Sequence, residues 1–134
     1  MLTEQEQRRL SKLYRATKLE FWDKVEHRWR TLRGSSEPVM VISAYNPWSK
    51  RLTPKENVHR DQRLQEDLRA YNVPAQRVRA SSPGGGWVEE GWVMPYHQGA
   101  CMKLIQKYEQ HAAFILVGND RCVMWCSGRM EDVT

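Results

Sequence analysis

Long apolar runs are missing from this 134-residue sequence, and none approaches the roughly 18 consecutive residues of a membrane-spanning helix. The N-terminal stretch MLTEQEQRRLSKLYR is charged from the outset and carries no apolar segment of a secretory signal. A cytoplasmic location is therefore expected. Cysteine is scarce: Cys101, Cys122 and Cys126 make an odd set without framework spacing. That excludes a disulfide-stapled scaffold and predicts reduced thiols. Internal repeats and low-complexity tracts are absent too, which removes repeat architectures from consideration.

What is present suits one globular domain with a core of modest size, since 40% of residues are hydrophobic and 28% charged. Lys and Arg number 21 against 16 Asp and Glu, a net charge of +5. The excess favours an anionic partner, such as a nucleotide, a nucleic acid or an acidic protein. The basic residues are nevertheless scattered and interleaved with acids, as on an ordinary solvated surface.

The chain opens with a helix signal, because Thr3 and Glu6 have the spacing of a capping box. Leu10, Tyr14, Thr17, Phe21, Val25, Trp29 and Leu32 then recur every three or four residues, and Gly34 is placed to end the pattern. A helix is expected to about residue 18, while residues 19–33 fit a continued helix or a strand. Residues 39–45, VMVISAY, read as an interior strand covered on both faces, stopped by Asn46-Pro47. Thr53, Pro54 and Glu56 predict a sharply capped helix over 54–70. Strands are expected near 76–80 and 87–96, separated by Ser81-Ser82-Pro83-Gly84-Gly85-Gly86. A helix over 98–110 and a hairpin of 112–117 with 121–126 follow. The order α-β-α-β-β-α-β-β argues for an α+β fold with a largely antiparallel sheet. One domain over 1–134 is expected, with an N-terminal helical segment (1–33), an α+β body (34–127) and a loose tail (128–134).

Most chemistry-bearing motifs have a plain structural explanation. Gly84-Gly85-Gly86 is not followed by the Lys-Ser/Thr of a phosphate-binding loop. Cys122 and Cys126 lie four residues apart on an expected strand, about 13 Å, which is too far for one zinc ion with bonds of about 2.3 Å. No metal set or cofactor is expected. Glu89 and Glu90 alternate on a strand and face opposite ways, so they are no ready-made acid/base couple. Gln110-His111 is polar where the chain enters the core, as a helix-closing hydrogen bond requires. Trp48, Trp87 and Trp92 fall near the end of the first interior strand. The capped helix carries a sharper signal: Asn57, Arg60, Leu64 and Leu68 share one face, so two polar side chains point inward near Tyr45 and Asn46. Buried there without partners, they would cost a few kcal/mol.

Several of these segments resemble the bacterial family called domain of unknown function 3293. The shared stretches are Leu13-Tyr14-Arg15-Ala16-Thr17, Ile42-Ser43-Ala44-Tyr45-Asn46-Pro47, Glu56-Asn57 with Arg60 and Leu64, Trp87 with Glu89-Glu90, and Tyr108-Glu109-Gln110-His111-Ala112. Together, resemblance and helical spacing single out Tyr45, Asn46, Asn57, Arg60, Glu90 and Gln110. They are expected to form a polar pocket between strand 39–45 and helix 54–70, with the helix N-terminus and Arg60 favouring a phosphate or carboxylate. Three functions compete: a binding module for a nucleotide, RNA or another anionic partner; a small enzyme on a nucleotide-like substrate with Glu90 as base; and a purely structural pinning of strand to helix.

Overall fold

A computed structural model describes residues 2–134. Three helices, α1 (Glu4–Ala16), α2 (Pro54–Ala70) and α3 (Gln98–Lys107), accompany eight strands. The strands are β1 (Lys18–Asp23), β2 (Arg28–Thr31), β3 (Val39–Ile42), β4 (Gln76–Ser81), β5 (Val88–Pro95), β6 (Ala112–Val117), β7 (Asp120–Trp125) and β8 (Met130–Asp132). They form one sheet in the order β2-β1-β4-β5-β3-β6-β7-β8, and every neighbouring pair is antiparallel. No helix among the described residues is long and apolar enough to cross a membrane.

β3 lies at the centre of the sheet and is buried on both faces, as its β-branched, unbroken apolar run requires. Met40 and Ile42 point to the face covered by α2 and α3, where they meet Leu64, Leu68, Leu104, Ile105 and Tyr108. Val41 points to the other face, where α1 lays Leu10, Leu13 and Tyr14 over Val78, Val93 and Phe114. Burying Leu64 and Leu68, 0% and 2% exposed, stabilises the fold by roughly 1.5–3 kcal/mol each. The two capping boxes form as their spacing dictates, with Thr3 and Thr53 accepting from the amides of Glu6 and Glu56.

The N-terminal segment departs from the helical expectation. α1 stops at Ala16, and residues 18–31 form the β1–β2 hairpin, paired Trp22 to Trp29 and Phe21 to Arg30. The physical reason is a competing alternation. Leu19 and Phe21 pack under α1, while Glu20 faces the opposite side and pairs with Arg79. Asp23 Oδ1 accepts from the amides of Val25 and Glu26, and His27 takes a φ of 53°, which turns the chain. Val25, an apparent stripe member, is consequently 88% exposed at the turn. Gly34 ends no helix. A Cβ there would stand 2.5 Å from the Gly118 carbonyl oxygen, so the residue permits a close backbone approach.

The end of the chain is no loose tail either. β8 pairs with β7, Trp125 Nε1 donates to Glu131, and Val133 is wholly buried. Arg121 of β7 reaches back to the end of α1, where its guanidinium donates to the carbonyls of Tyr14 (2.9 Å) and Thr17 (2.6 Å). A cation at this position satisfies orphan carbonyls and complements the helix dipole.

Candidate functional site

The central strand ends abruptly, and the residues beyond it organise both faces of the sheet. The β3–β5 ladder closes at Ile42 and Trp92. Ser43 Oγ then donates to the Glu90 carbonyl (2.9 Å) and accepts from the Tyr45 amide (3.1 Å). Gly91 makes this crossing possible, since a Cβ there would lie 2.3 Å from the Ile42 carbonyl oxygen. Asn46 follows in the left-handed conformation (φ 47°), which its short polar side chain tolerates.

On the α2 side, Asn46 and Asn57 form a reciprocal pair. The Asn46 amide donates to Asn57 Oδ1 and Asn57 Nδ2 donates to Asn46 Oδ1, each at 2.9 Å. Asn46 Oδ1 also accepts from the Leu52 amide at 2.9 Å, which ties the loop before α2 to the same point. Arg60 Nε donates to the Ala44 carbonyl at 2.6 Å, and a second guanidinium nitrogen donates to the Tyr108 carbonyl. Gln110 Nε2 donates to the carbonyls of Tyr45 (3.0 Å) and Tyr108 (2.9 Å). Asn46, Asn57, Arg60 and Gln110 thus meet, joined by the Tyr45 backbone. These bonds tie the α2 half of the junction into a closed lattice, while the Asn46 and Gln110 side chains also reach the opposite face of the strand end. Glu90 stands apart from them. Its half-exposed carboxylate lies 3.6 Å from Arg77, whose guanidinium also pairs with Asp61 at 2.9 Å and stacks over Trp92 at 4.0 Å.

The opposite face of the same strand end holds a cavity of about 80 Å³ beneath α1. Its polar lining comes from Ser43, Asn46, Glu89, Gln110 and His111, and its aromatic walls from Tyr14, Trp87 and Phe114. Glu89 shares the α1 face of β5 with Gly91 and Val93 by alternation, whereas Glu90 and Trp92 face α2. Burial pushes the Glu89 carboxyl up to about 8, outweighing the polar contacts made by the Asn46 and Trp87 side chains. At neutral pH it is therefore a carboxylic acid. Burial, with Glu89 nearby, also raises the Tyr14 phenol, and burial holds the His111 imidazole below its usual value and hence neutral. Neither Lys nor Arg lines the cavity among the described residues.

The pocket-facing acid is thus Glu89, where the sequence singled out Glu90. Tyr14, Ser43 and His111 join it without having been selected as ligand residues. The signal for Tyr14 was its place on the inward stripe of α1. For Glu89 it was the alternation shared with Val93. Three free cysteines are present, and no group of three or more His, Cys, Asp or Glu is arranged to hold a metal among the described residues.

An antiparallel eight-stranded α+β domain, with helices on both faces and a half-buried carboxyl of β5 beside the end of its central strand, is the class that these features define. The chain belongs to the family described as Protein of unknown function (DUF3293), whose model matches residues 42–113. That span runs from the end of β3 into β6 and contains Asn46, Asn57, Arg60, Glu89, Gln110 and His111. No curated protein and no solved structure matches the chain.

Proposed function

We propose that this protein is a cytoplasmic binding module whose cavity beneath α1 receives the neutral hydrogen-bonding edge of a planar nitrogen heterocycle, in the manner of a nucleobase. The observation that carries this reading is a carboxyl group enclosed among polar and aromatic side chains with no cation facing it. A neutral carboxylic acid offers one O–H donor and one carbonyl acceptor side by side. Its natural complement is an edge with an adjacent acceptor and donor, such as an aminopyrimidine or a lactam. An amidinium or guanidinium edge has donors only and would require the ionised acid. At about 80 Å³ the cavity admits a ring edge rather than a whole nucleoside.

The anionic-partner expectation is thereby relocated. Arg60 is committed to backbone carbonyls, and its remaining nitrogen lies 3.7 Å from Glu109. Any negative charge on the ligand must be met outside the cavity. A second reading, a small enzyme on a nucleotide-like substrate, draws on the perturbed Glu89 acid beside Tyr14 and His111, since such groups transfer protons in active sites.

The test is isothermal titration with adenosine, guanosine, cytidine and uridine at pH 6–9. At least one is expected to bind, weakening above pH 8 as Glu89 ionises. Glu89→Gln keeps a donor and an acceptor, so it should bind with no such pH dependence, whereas Glu89→Leu should not bind. Equal affinity for the wild type and Glu89→Leu refutes the assignment. Chromatography of the same mixtures for altered nucleoside decides the enzyme reading.

A further inference from the structure

We infer that the site continues past His111 into the groove beside Trp48, and that this outer part takes the ring face and an acidic substituent of the same ligand. The ligand class is then a nucleoside carrying a phosphate rather than a bare base. This inference rests on the assignment of the Glu89 cavity as the base-edge site.

His111 lines the Glu89 cavity and also a larger groove of about 430 Å³, whose walls include Trp48, Lys50, Trp125 and Cys126. The loop that builds the groove is strained. Asn46, Trp48 and Ser49 have φ of 47°, 51° and 62°, three non-glycine residues in the left-handed region within four positions. The conformation costs roughly 1–2 kcal/mol per residue through its Cβ, and Trp has no short polar side chain to offset it. Backbone bonds hold the loop in place: Trp48 donates to the Glu109 carbonyl at 2.7 Å, and Lys50 donates to that of Pro47 at 2.9 Å. The outcome is a large indole kept 39% exposed at the surface, its ring 5.2 Å from the His111 imidazole. The indole rests against His111 yet leaves part of its surface open to the groove, and strain of this kind concentrates at ligand clamps.

The order of the chemistry follows the order of the walls. His111 is the wall common to both spaces, so a ring whose edge meets Glu89 and which extends past His111 brings its face toward Trp48, and an indole stacks on any base. Lys50 comes two residues later, exposed, and takes part in none of the ion pairs among the described residues. Glu6, the acid on the groove wall, accepts from the Thr3 amide at 3.0 Å and forms no ion pair with Lys50. An ammonium without a carboxylate partner at the outer end suits a phosphate.

The experiment titrates the four ribonucleosides and their 5′-monophosphates into wild type, Trp48→Leu and Lys50→Glu. The melting temperature of each unliganded variant serves as the folding control; Trp48→Asn, which tolerates the left-handed backbone and offers no aromatic face, replaces the leucine variant if that one does not fold, and Trp48→Phe is the conservative control. Loss of stacking in Trp48→Leu should weaken nucleoside and monophosphate alike by about tenfold or more. Lys50→Glu should weaken the monophosphate by at least two- to fivefold and leave the nucleoside unchanged, while Trp48→Phe should stay near wild type. If ligands bind with the Glu89-dependent pH profile but neither Trp48→Leu nor Lys50→Glu changes their affinity, the outer site is refuted and the inner one stands. If the two loop variants matter while Glu89→Leu does not, the inner assignment fails. Absence of binding by every probe overturns both.

Discussion

Replacing Glu89 by Gln should make the folded protein more stable at neutral pH. The folded carboxyl titrates at about 8, against an ordinary value of 4.5. Because the folded value is raised, the native state holds the proton more tightly than the unfolded chain. The resulting stability is fully present below pH 4.5 and is lost as the pH rises toward about 8. Each pH unit in that window is worth about 1.4 kcal/mol. Roughly 5 kcal/mol should therefore vanish between pH 4.5 and pH 8, a large share of the 5–15 kcal/mol that holds a domain together. Glu89→Gln retains shape and neutral hydrogen bonding but cannot ionise, so at pH 7 it should exceed wild type by about 3 kcal/mol. The groups facing Glu89 are Tyr14 from α1 and His111 before β6, and both remain in the variant, so the difference curve isolates Glu89. Urea unfolding at pH 5, 6, 7, 8 and 9 should give a wild-type midpoint that falls more steeply with pH than the variant's. Parallel curves across this range would refute a protonated Glu89 in the folded protein.

Three further outcomes are expected. Asn57→Ala leaves the Asn46 amide without its acceptor in a buried setting and should destabilise by about 1–3 kcal/mol, read from urea midpoints. Arg60→Lys replaces a planar fork, in which Nε and a terminal nitrogen each meet one carbonyl, by a single ammonium on a differently shaped stem, so it should lose about 2 kcal/mol despite preserving charge; a variant as stable as wild type would contradict this role of the fork. Gly91→Ala pushes a methyl group into the Ile42 carbonyl and should lower stability by about 1–3 kcal/mol, measured by thermal unfolding.

How far the sequence could be followed depended on whether a feature was local. Both capping boxes, the Asn46-Pro47 stop and the inward face of α2 are set within four or five residues, and each was legible from residue type and spacing; the left-handed turn of Asn46 was not. The meeting of Asn57 with Asn46 followed from that spacing plus one buried strand. Residues 19–33 stayed open between helix and strand because Phe21, Val25 and Trp29 fall at helical intervals, while the alternation that prevails needs β4 as a partner for β1. β8 escaped for the same reason, since Met130–Asp132 is a strand only because β7 offers an edge. The choice between Glu89 and Glu90 needed knowledge of which helix covers which face of β5. That fact belongs to the whole sheet and to no short stretch of chain.

The bond network around Arg121 has a consequence for how the molecule assembles. Its guanidinium closes the last turn of α1 from more than a hundred residues downstream, and Val133 seals the same half of the core. The apolar stripe of α1 meets Val41, Val78, Val93 and Phe114, but its terminal carbonyls wait for Arg121, far downstream. Contacts of such sequence separation slow folding, so the docking of α1 is expected to follow the local hairpins. The Glu89 cavity, roofed by Leu10, Leu13 and Tyr14, would therefore be among the last parts of the protein to exist.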